Sequence, residues 1–345
     1  MITPISMKDF RAFKGVSYSR LSNLANGPQA YKAGLEEDPS SSAISLGTGV
    51  DLMLTEPDKF VEEIYVMSAE KPGSELMQNY VETLHKTSDK EAAWKASGFN
   101  ISQERVEKKF ATEGKQYYDA LQTAGDKKIL DVTDMFKANQ MVAALKANPF
   151  TKKYFIAEDG VELLFQFPIT WTIGINEIGT GKIRAVNAKS VLDVIRIDHK
   201  NKIIQPIELK TGAEGFFKSF WRWKRYLQGS MYHNAVLDLF WENAPVGEDY
   251  KIENIKFVYA DTNLILPPII YNMTESDLTI GRLGRYANVF VGNSQFAYSD
   301  RLKYKGYVRL VEELDWHQRT NQWDYSYDVY QNNGEVDIDA FIVKL

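Results

Sequence analysis

Asp193, Glu208 and Lys210 are the side chains in this 345-residue chain whose types and spacing point most directly to chemistry. SVLDVIRID (190–198) and KIIQPIELK (202–210) both read as strands, and the turn signal HKNK joins them. An antiparallel pairing centred between Lys200 and Asn201 sets Asp193 directly opposite Glu208, with Cβ atoms about 5 Å apart. Lys210 lies two residues beyond Glu208 and shares its face. Facing carboxylates repel each other. A divalent cation resolves the repulsion, because hard Mg²⁺ takes one or two carboxylates and keeps waters for a substrate phosphate. A continuous hairpin about the loop between Gly174 and Gly181 also brings Glu162 beside Asp193 as a further metal ligand. The competing reading makes Glu162 an exposed residue of an edge strand.

Downstream, residues 214–241 have the pattern of one long helix. Lys218, Arg222, Lys224 and Arg225 alternate there with Phe216, Phe217, Phe220, Trp221, Trp223 and Tyr226. Gln228 and Tyr232, four apart, project from one face, with Trp221 and Arg225 further up the same stripe. Basic groups neutralise phosphates, aromatic rings stack on bases, and an amide with a phenol can hold a phosphate or orient a water. Aromatic residues at helical spacing also build cores, so at least half of these rings are expected to be buried.

Composition removes several other chemistries. With no cysteine, disulfides, zinc-thiolate sites, iron-sulfur clusters and cysteine nucleophiles are excluded. His85, His199, His233 and His317 show no ligand spacing. GTGK at 179–182 lacks the first glycine of a P-loop and has Ile183 where a Mg²⁺-binding hydroxyl belongs, so it reads as a turn. No GxSxG or HExxH motif occurs. The net charge of −5 does not favour nucleic acid globally. A local groove can still do so, because exposed charges are screened beyond about 8 Å. No long apolar run and no basic, apolar leader is present, so no membrane association is expected.

The elements that must position these groups fall into two styles. Residues 17–32 read as a capped helix start followed by a Gly-Pro break, and 45–60 as a short buried helix ending before Pro57. From 74 to 147 the pattern is that of a helical block. Residues 161–210 read instead as a β-meander of four strands: VELLFQFPITWTI, KIRAV, SVLDVIRID and KIIQPIELK. After 254 come a strand, IKFVYADT, a helix near 275–292, and a tail rich in Trp and Tyr. The expected division is a mainly helical part (1–150) integrated with the core, the core itself (151–262), and an extension of the same domain (263–345). The fold class is α/β (α+β).

The order Asp193, Glu208-Leu209-Lys210, Gln228-Gly-Ser-Met-Tyr232 resembles the PD-(D/E)XK nuclease superfamily. Within it, the RecB-like branch with a QxxxY motif, and RecE-like and lambda-type phage exonucleases, are most similar. Ser19-Arg20-Leu21 with Gly27-Pro28 and Tyr31 resembles that branch's N-terminal helix. LGTGVDLMLTEPDKF resembles its Gly-Thr segment, with Asp51 where the family has histidine. ANPF (147–150) and FVYADT have counterparts in order. The resemblance spans roughly 17–262; nothing in 263–345 is diagnostic.

It implies a restriction-endonuclease-like core, a mixed central sheet flanked by helices, and Mg²⁺-dependent exonuclease action on linear duplex DNA in phage-type recombination or DNA processing. Mg²⁺, with Mn²⁺ able to substitute, would be held by Asp193, Glu208, the Leu209 carbonyl, Glu162 and Asp51. Asp51 equally fits a helix-face residue without a role. Lys210 would position water and stabilise charge, and Gln228 and Tyr232 would orient phosphate or water. Arg225, Arg222, Lys218, Lys224, Trp221, Ser19 and Arg20 would line the DNA path. A single-strand annealing protein and a homo-oligomer are the implied partners, and the cytoplasm of a bacterial or phage-infected cell the implied location. The alternative is a catalytically silent DNA-binding or assembly protein of the same fold. Exo versus endo action, polarity and oligomeric state are not set by these residues.

Overall fold

The structure is a computed structural model that describes residues 5–35, 42–243, 250–291 and 295–335. The chain forms two compact units, one of 1–39 and 143–345, the other of 40–142. The larger unit begins with α1 (Met7–Ala12), α2 (Tyr18–Leu24) and α3 (Pro28–Ala33).

The smaller unit holds α4 (Ser42–Thr55), α5 (Pro57–Glu63), β1 (Ile64–Met67), α6 (Glu75–Thr87), α7 (Lys90–Ser97), α8 (Gln103–Glu113), α9 (Lys115–Ala124) and β2 (Lys128–Asp131). α10 (Val132–Ala147) carries the chain onward. On α6, Met77, Tyr80, Val81 and Leu84 recur at helical spacing and are buried with Val106 and Leu121, so one stripe builds this unit's core. The helical block from 74 to 147 is interrupted, contrary to the sequence pattern. Gly125, at φ +56°, closes α9, and residues 128–131 pair in parallel with β1.

The larger unit continues with β3 (Val161–Asn176), β4 (Ile183–Asp198), β5 (Ile203–Gly212), α11 (Phe216–Arg222), α12 (Arg225–Asn243), β6 (Lys251–Ile252), β7 (Lys256–Asp261) and β8 (Ile269–Asn272). α13 (Glu275–Leu283), β9 (Gly284–Val291), β10 (Gln295–Lys305), α14 (Tyr307–Thr320) and α15 (Tyr327–Gln331) complete it. It is a mixed α/β fold around a six-stranded sheet of order β3-β4-β5-β7-β8, with β6 beside β5. β3, β4 and β5 are antiparallel, whereas β5 and β7 are parallel and joined by α11 and α12, the long crossover that parallel neighbours need. Leu227, Met231, Ala235 and Val236 of α12 are buried in one cluster with sheet residues Ile195, Ile204 and Phe257.

Three further readings of the sequence need correction. KIRAV and SVLDVIRID are one strand, because Asn187, Ala188 and Lys189 stay paired with Thr172, Trp171 and Thr170 of an equally long β3. The single helix over 214–241 is two. Lys224 turns to φ +52° between α11 and α12, its ammonium 2.5 Å from Asn26 Oδ1, and the Tyr18 hydroxyl donates to the Trp223 carbonyl at 2.5 Å. The helix near 275–292 stops at Leu283, where Gly284 at φ +93° releases the chain into β9. Among the described residues no helix is long and apolar enough to cross a membrane.

Close helix packing holds α12 in place. A Cβ on Gly281 of α13 would lie 2.2 Å from the Tyr226 carbonyl oxygen of α12, whereas one on Gly229 would first meet the flexible sulfur of Met273 at 2.1 Å. Gly281→Ala is therefore expected to cost about 1–3 kcal/mol. Gly229→Ala should cost less, because Met273 can move. Urea unfolding of the two variants checks the order, and an equal or reversed loss contradicts it.

Candidate active site

The β4–β5 hairpin has the register expected from its turn: Asp198 pairs with Ile203 and Val194 with Ile207. Continued by one residue, that register sets Asp193 against Glu208. The regular ladder ends there, and the Leu209 amide donates to Asp193 Oδ2 at 2.8 Å instead of to a backbone carbonyl. In extended backbone a residue's N–H and C=O leave from the same edge, so the Leu209 carbonyl faces the same side. Pro206, which has no amide hydrogen, falls where β5 changes partners from β6 to β7. Gln205 bridges the step through its amide nitrogen, 2.8 Å from the Asn254 carbonyl.

Glu208 is only 2% exposed. Its Oε1 accepts from Lys210 Nζ at 2.5 Å and from Gln228 Nε2 at 2.6 Å. Its Oε2 is buried without a protein donor and faces the Asp193 carboxyl. Burial and the adjacent Asp193 push Glu208 up to about 8, against the pull of Lys210. Burial likewise raises Asp193, partly offset by Lys210 and the Leu209 amide. One proton held between Glu208 Oε2 and Asp193 satisfies both groups, and a cation in its place does the same. Burial alone would lower Lys210, but Glu208 and Asp193 outweigh it, and its pKa rises. The amine is therefore a fixed positive charge.

Gln228 and Tyr232 sit on α12 one turn apart, as expected, and the Tyr232 phenol hydrogen-bonds the Gln228 amide. Burial, with Glu208 nearby, raises Tyr232 well above the usual phenol range, so it stays protonated. Arg225 opens α12. Its guanidinium lies 5.5 Å from the Phe216 ring centre, and its buried Nη1 has no hydrogen-bond partner among the described residues.

Glu162 is not beside Asp193. It pairs with Ile197, and its carboxylate lies 3.4 Å from the His199 ring, because the β3–β4 turn is centred two residues later than the sequence pattern implies. Gln166 stands across from Asp193 instead, its amide 3.3 Å from Oδ1. Gln166 takes φ +43°, and the Gln166–Asp193 pair drops out of an otherwise regular ladder between Phe165–Val194 and Phe167–Leu192. A lone amide in VELLFQFPITW was the available signal. Tyr18, whose hydroxyl holds the Trp223 carbonyl, gave none.

Among the basic and aromatic residues, Phe216, Phe220 and Tyr226 are buried, as half were expected to be. Trp221 packs against Tyr226 and Tyr304, off the Arg225 stripe because the helix breaks between them. Lys218 and Arg222 both pair with Glu214, at 2.9 and 3.4 Å. Ser19 and Arg20 are exposed on α2. Asp51 is half-buried on α4 in the smaller unit, its carbonyl accepting from the Thr55 hydroxyl. Among the described residues no group of three or more His, Cys, Asp or Glu converges. The donor set is two carboxyls and the edge that carries the Leu209 carbonyl. For a hard cation that keeps most of its waters this set fits, and the donorless Oε2 of Glu208 is its open position.

No protein-family model matches this sequence, and no curated protein matches it. A crystal structure from Eubacterium rectale named "Putative exonuclease" aligns at 12% identity over 97% of this chain and 95% of that one, with a TM-score of 0.43. A likeness at that level does not bear on the chemistry of this chain.

The carboxyl pair predicts a pH response of stability in EDTA. A carboxyl raised from 4.5 to about 8 on folding holds its proton more tightly in the folded state. Its contribution is complete below the unfolded value and is lost as pH rises through the folded one. The melting temperature should therefore gain a downward trend between these limits, and Glu208→Gln should flatten it. An identical pH profile in the variant contradicts the assignment.

Proposed function

We propose that this chain is a Mg²⁺-dependent deoxyribonuclease that hydrolyses phosphodiester bonds, acting as an exonuclease on linear duplex DNA. One observation carries the reading. A buried Glu208 carboxyl and a half-buried Asp193 carboxyl meet on adjacent strands, with a charged lysine and a glutamine bound to one oxygen of Glu208 while the other is left without a donor.

Asp193, Glu208 and the Leu209 carbonyl would hold the cation. When bound, it polarises the scissile phosphate and acidifies a water. Lys210 and Gln228 both grip Oε1, which fixes the carboxylate plane and leaves Oε2 free. Lys210 stays protonated, so it positions water and balances charge on the phosphate and does not abstract a proton. Tyr232 holds the Gln228 amide from behind, and the unpartnered Arg225 Nη1 is a ready donor for a phosphate oxygen. The motif order supports the finer parts of the reading: substitution by Mn²⁺, single strands as the product for an annealing protein, a homo-oligomer, and a role in phage-type recombination.

Asp193→Asn, Glu208→Gln and Lys210→Met are each expected to abolish Mg²⁺-dependent loss of a linear duplex while circular dichroism at the assay temperature shows each variant folded. Gln228→Ala, which removes an orienting partner and not a ligand, should slow cleavage about 10–100-fold. Gel assays on end-labelled duplex read both. Full activity in any of the first three contradicts the mechanism, and cleavage of closed circular duplex at the linear rate contradicts exonuclease action. Duplex binding by the wild type without cleavage would select a non-catalytic role.

A further inference from the structure

A second feature of the larger unit lies along β4. Residues 13–16 run beside this strand, with the Val16 amide donating to the Asn187 carbonyl at 2.9 Å and the Lys189 amide to the Val16 carbonyl at 2.9 Å. Lys189 reinforces the join, its ammonium donating to the Phe13 carbonyl at 3.0 Å and the Phe10 carbonyl at 3.3 Å. Between this segment, α2 and β4 opens a cleft of 670 Å³. Arg11, Lys14, Arg20, Arg184 and Lys189 line it, and no carboxylate does.

That is a sharp local departure in a chain of net charge −5. Arg11, Lys14 and Arg20 are exposed and make no ion pair among the described residues. Arg184 pairs with the buried Asp315 at 2.5 Å, and Arg319, which shares Asp315 at 2.8 Å, also has Glu177 at 3.7 Å, so this corner is balanced and the excess charge of the cleft is that of Arg11, Lys14 and Arg20. Lys189 spends its donors on backbone carbonyls and is scaffold. Like charges held together without counter-charges repel, and a polyanion relieves the repulsion. Lys189 and Asp193 are four residues apart on one strand, about 13 Å, which matches about four nucleotides at 3.4 Å each.

We propose that this cleft holds the phosphodiester backbone of the DNA about four nucleotides from the bond being cut, through Arg11 and Lys14, which flank the carbonyls that Lys189 holds. The proposal rests on the nuclease reading for its substrate. Several cations spread along a groove suit repeated phosphates, where a single anion would need them convergent.

The test is fluorescence anisotropy of a labelled 30-base-pair duplex in EDTA, where no hydrolysis intervenes, across a series of NaCl concentrations. R11Q/K14Q should bind at least about tenfold more weakly than wild type at low salt, and the log–log salt slope should shrink by about 2, near 0.9 for each phosphate no longer neutralised. R11K/K14R, which keeps the charge, should bind within about twofold of wild type. K108Q/K109Q, which removes the same charge elsewhere, should also bind like wild type. Melting temperatures confirm that each variant is folded. Unchanged affinity and slope in R11Q/K14Q, or an equal loss in K108Q/K109Q, overturns the cleft. A wild type that binds duplex as described but never degrades it with Mg²⁺ overturns the nuclease reading and leaves the cleft standing.

Discussion

Two carboxyl groups in contact inside a sheet cannot both be ionised without a positive charge beside them, and the rest of this site is arranged around that constraint. Asp193 and Glu208 face each other because the β4–β5 hairpin is in register, and Glu208 is buried because β5 is a central strand with β7 on its other side. Burial raises both carboxyls, which makes the pair costly when charged and receptive to a proton or a cation. Lys210 supplies one compensating charge, but only to Oε1 of Glu208. The remaining demand sits on Oε2 and the Asp193 carboxyl.

Backbone irregularities surround this pair, and each serves it. Gln166 leaves the usual strand conformation where it meets Asp193, turning its amide toward Oδ1. β5 changes partners at Pro206, so Glu208 lies between β4 and β7 and not at the β6 edge. Lys224 breaks what would be a single helix, and α12 starts afresh at Arg225 with Gln228 aimed at Glu208. Strained backbone of this kind persists only where the surroundings over-determine it, as the Tyr18 and Asn26 contacts do for the helix break.

The sequence made the hairpin legible because its turn is short and its alternation clean, so the turn centre fixed the register of Asp193 and Glu208. The same logic failed for Glu162, because a displacement of the turn centre by two residues moves a facing partner by four. Gln228 and Tyr232 were legible from helical spacing alone. The break at Lys224 was not, since its causes, Tyr18 and Asn26, lie some two hundred residues away in the chain. The basic cleft was hidden for the same reason: Arg11 and Lys14 meet Arg184 only because Val16 docks on β4, and no local pattern announces a single parallel bridge.

Calorimetric titration of Mg²⁺ in two buffers of different ionisation enthalpy tests the carboxyl pair as a metal site most directly. At pH 7, Glu208 holds a proton that a bound cation must displace, so binding should release on the order of one proton, and Glu208→Gln should remove both the heat and the release. Binding of equal strength in the variant, or no binding in the wild type, would contradict the account.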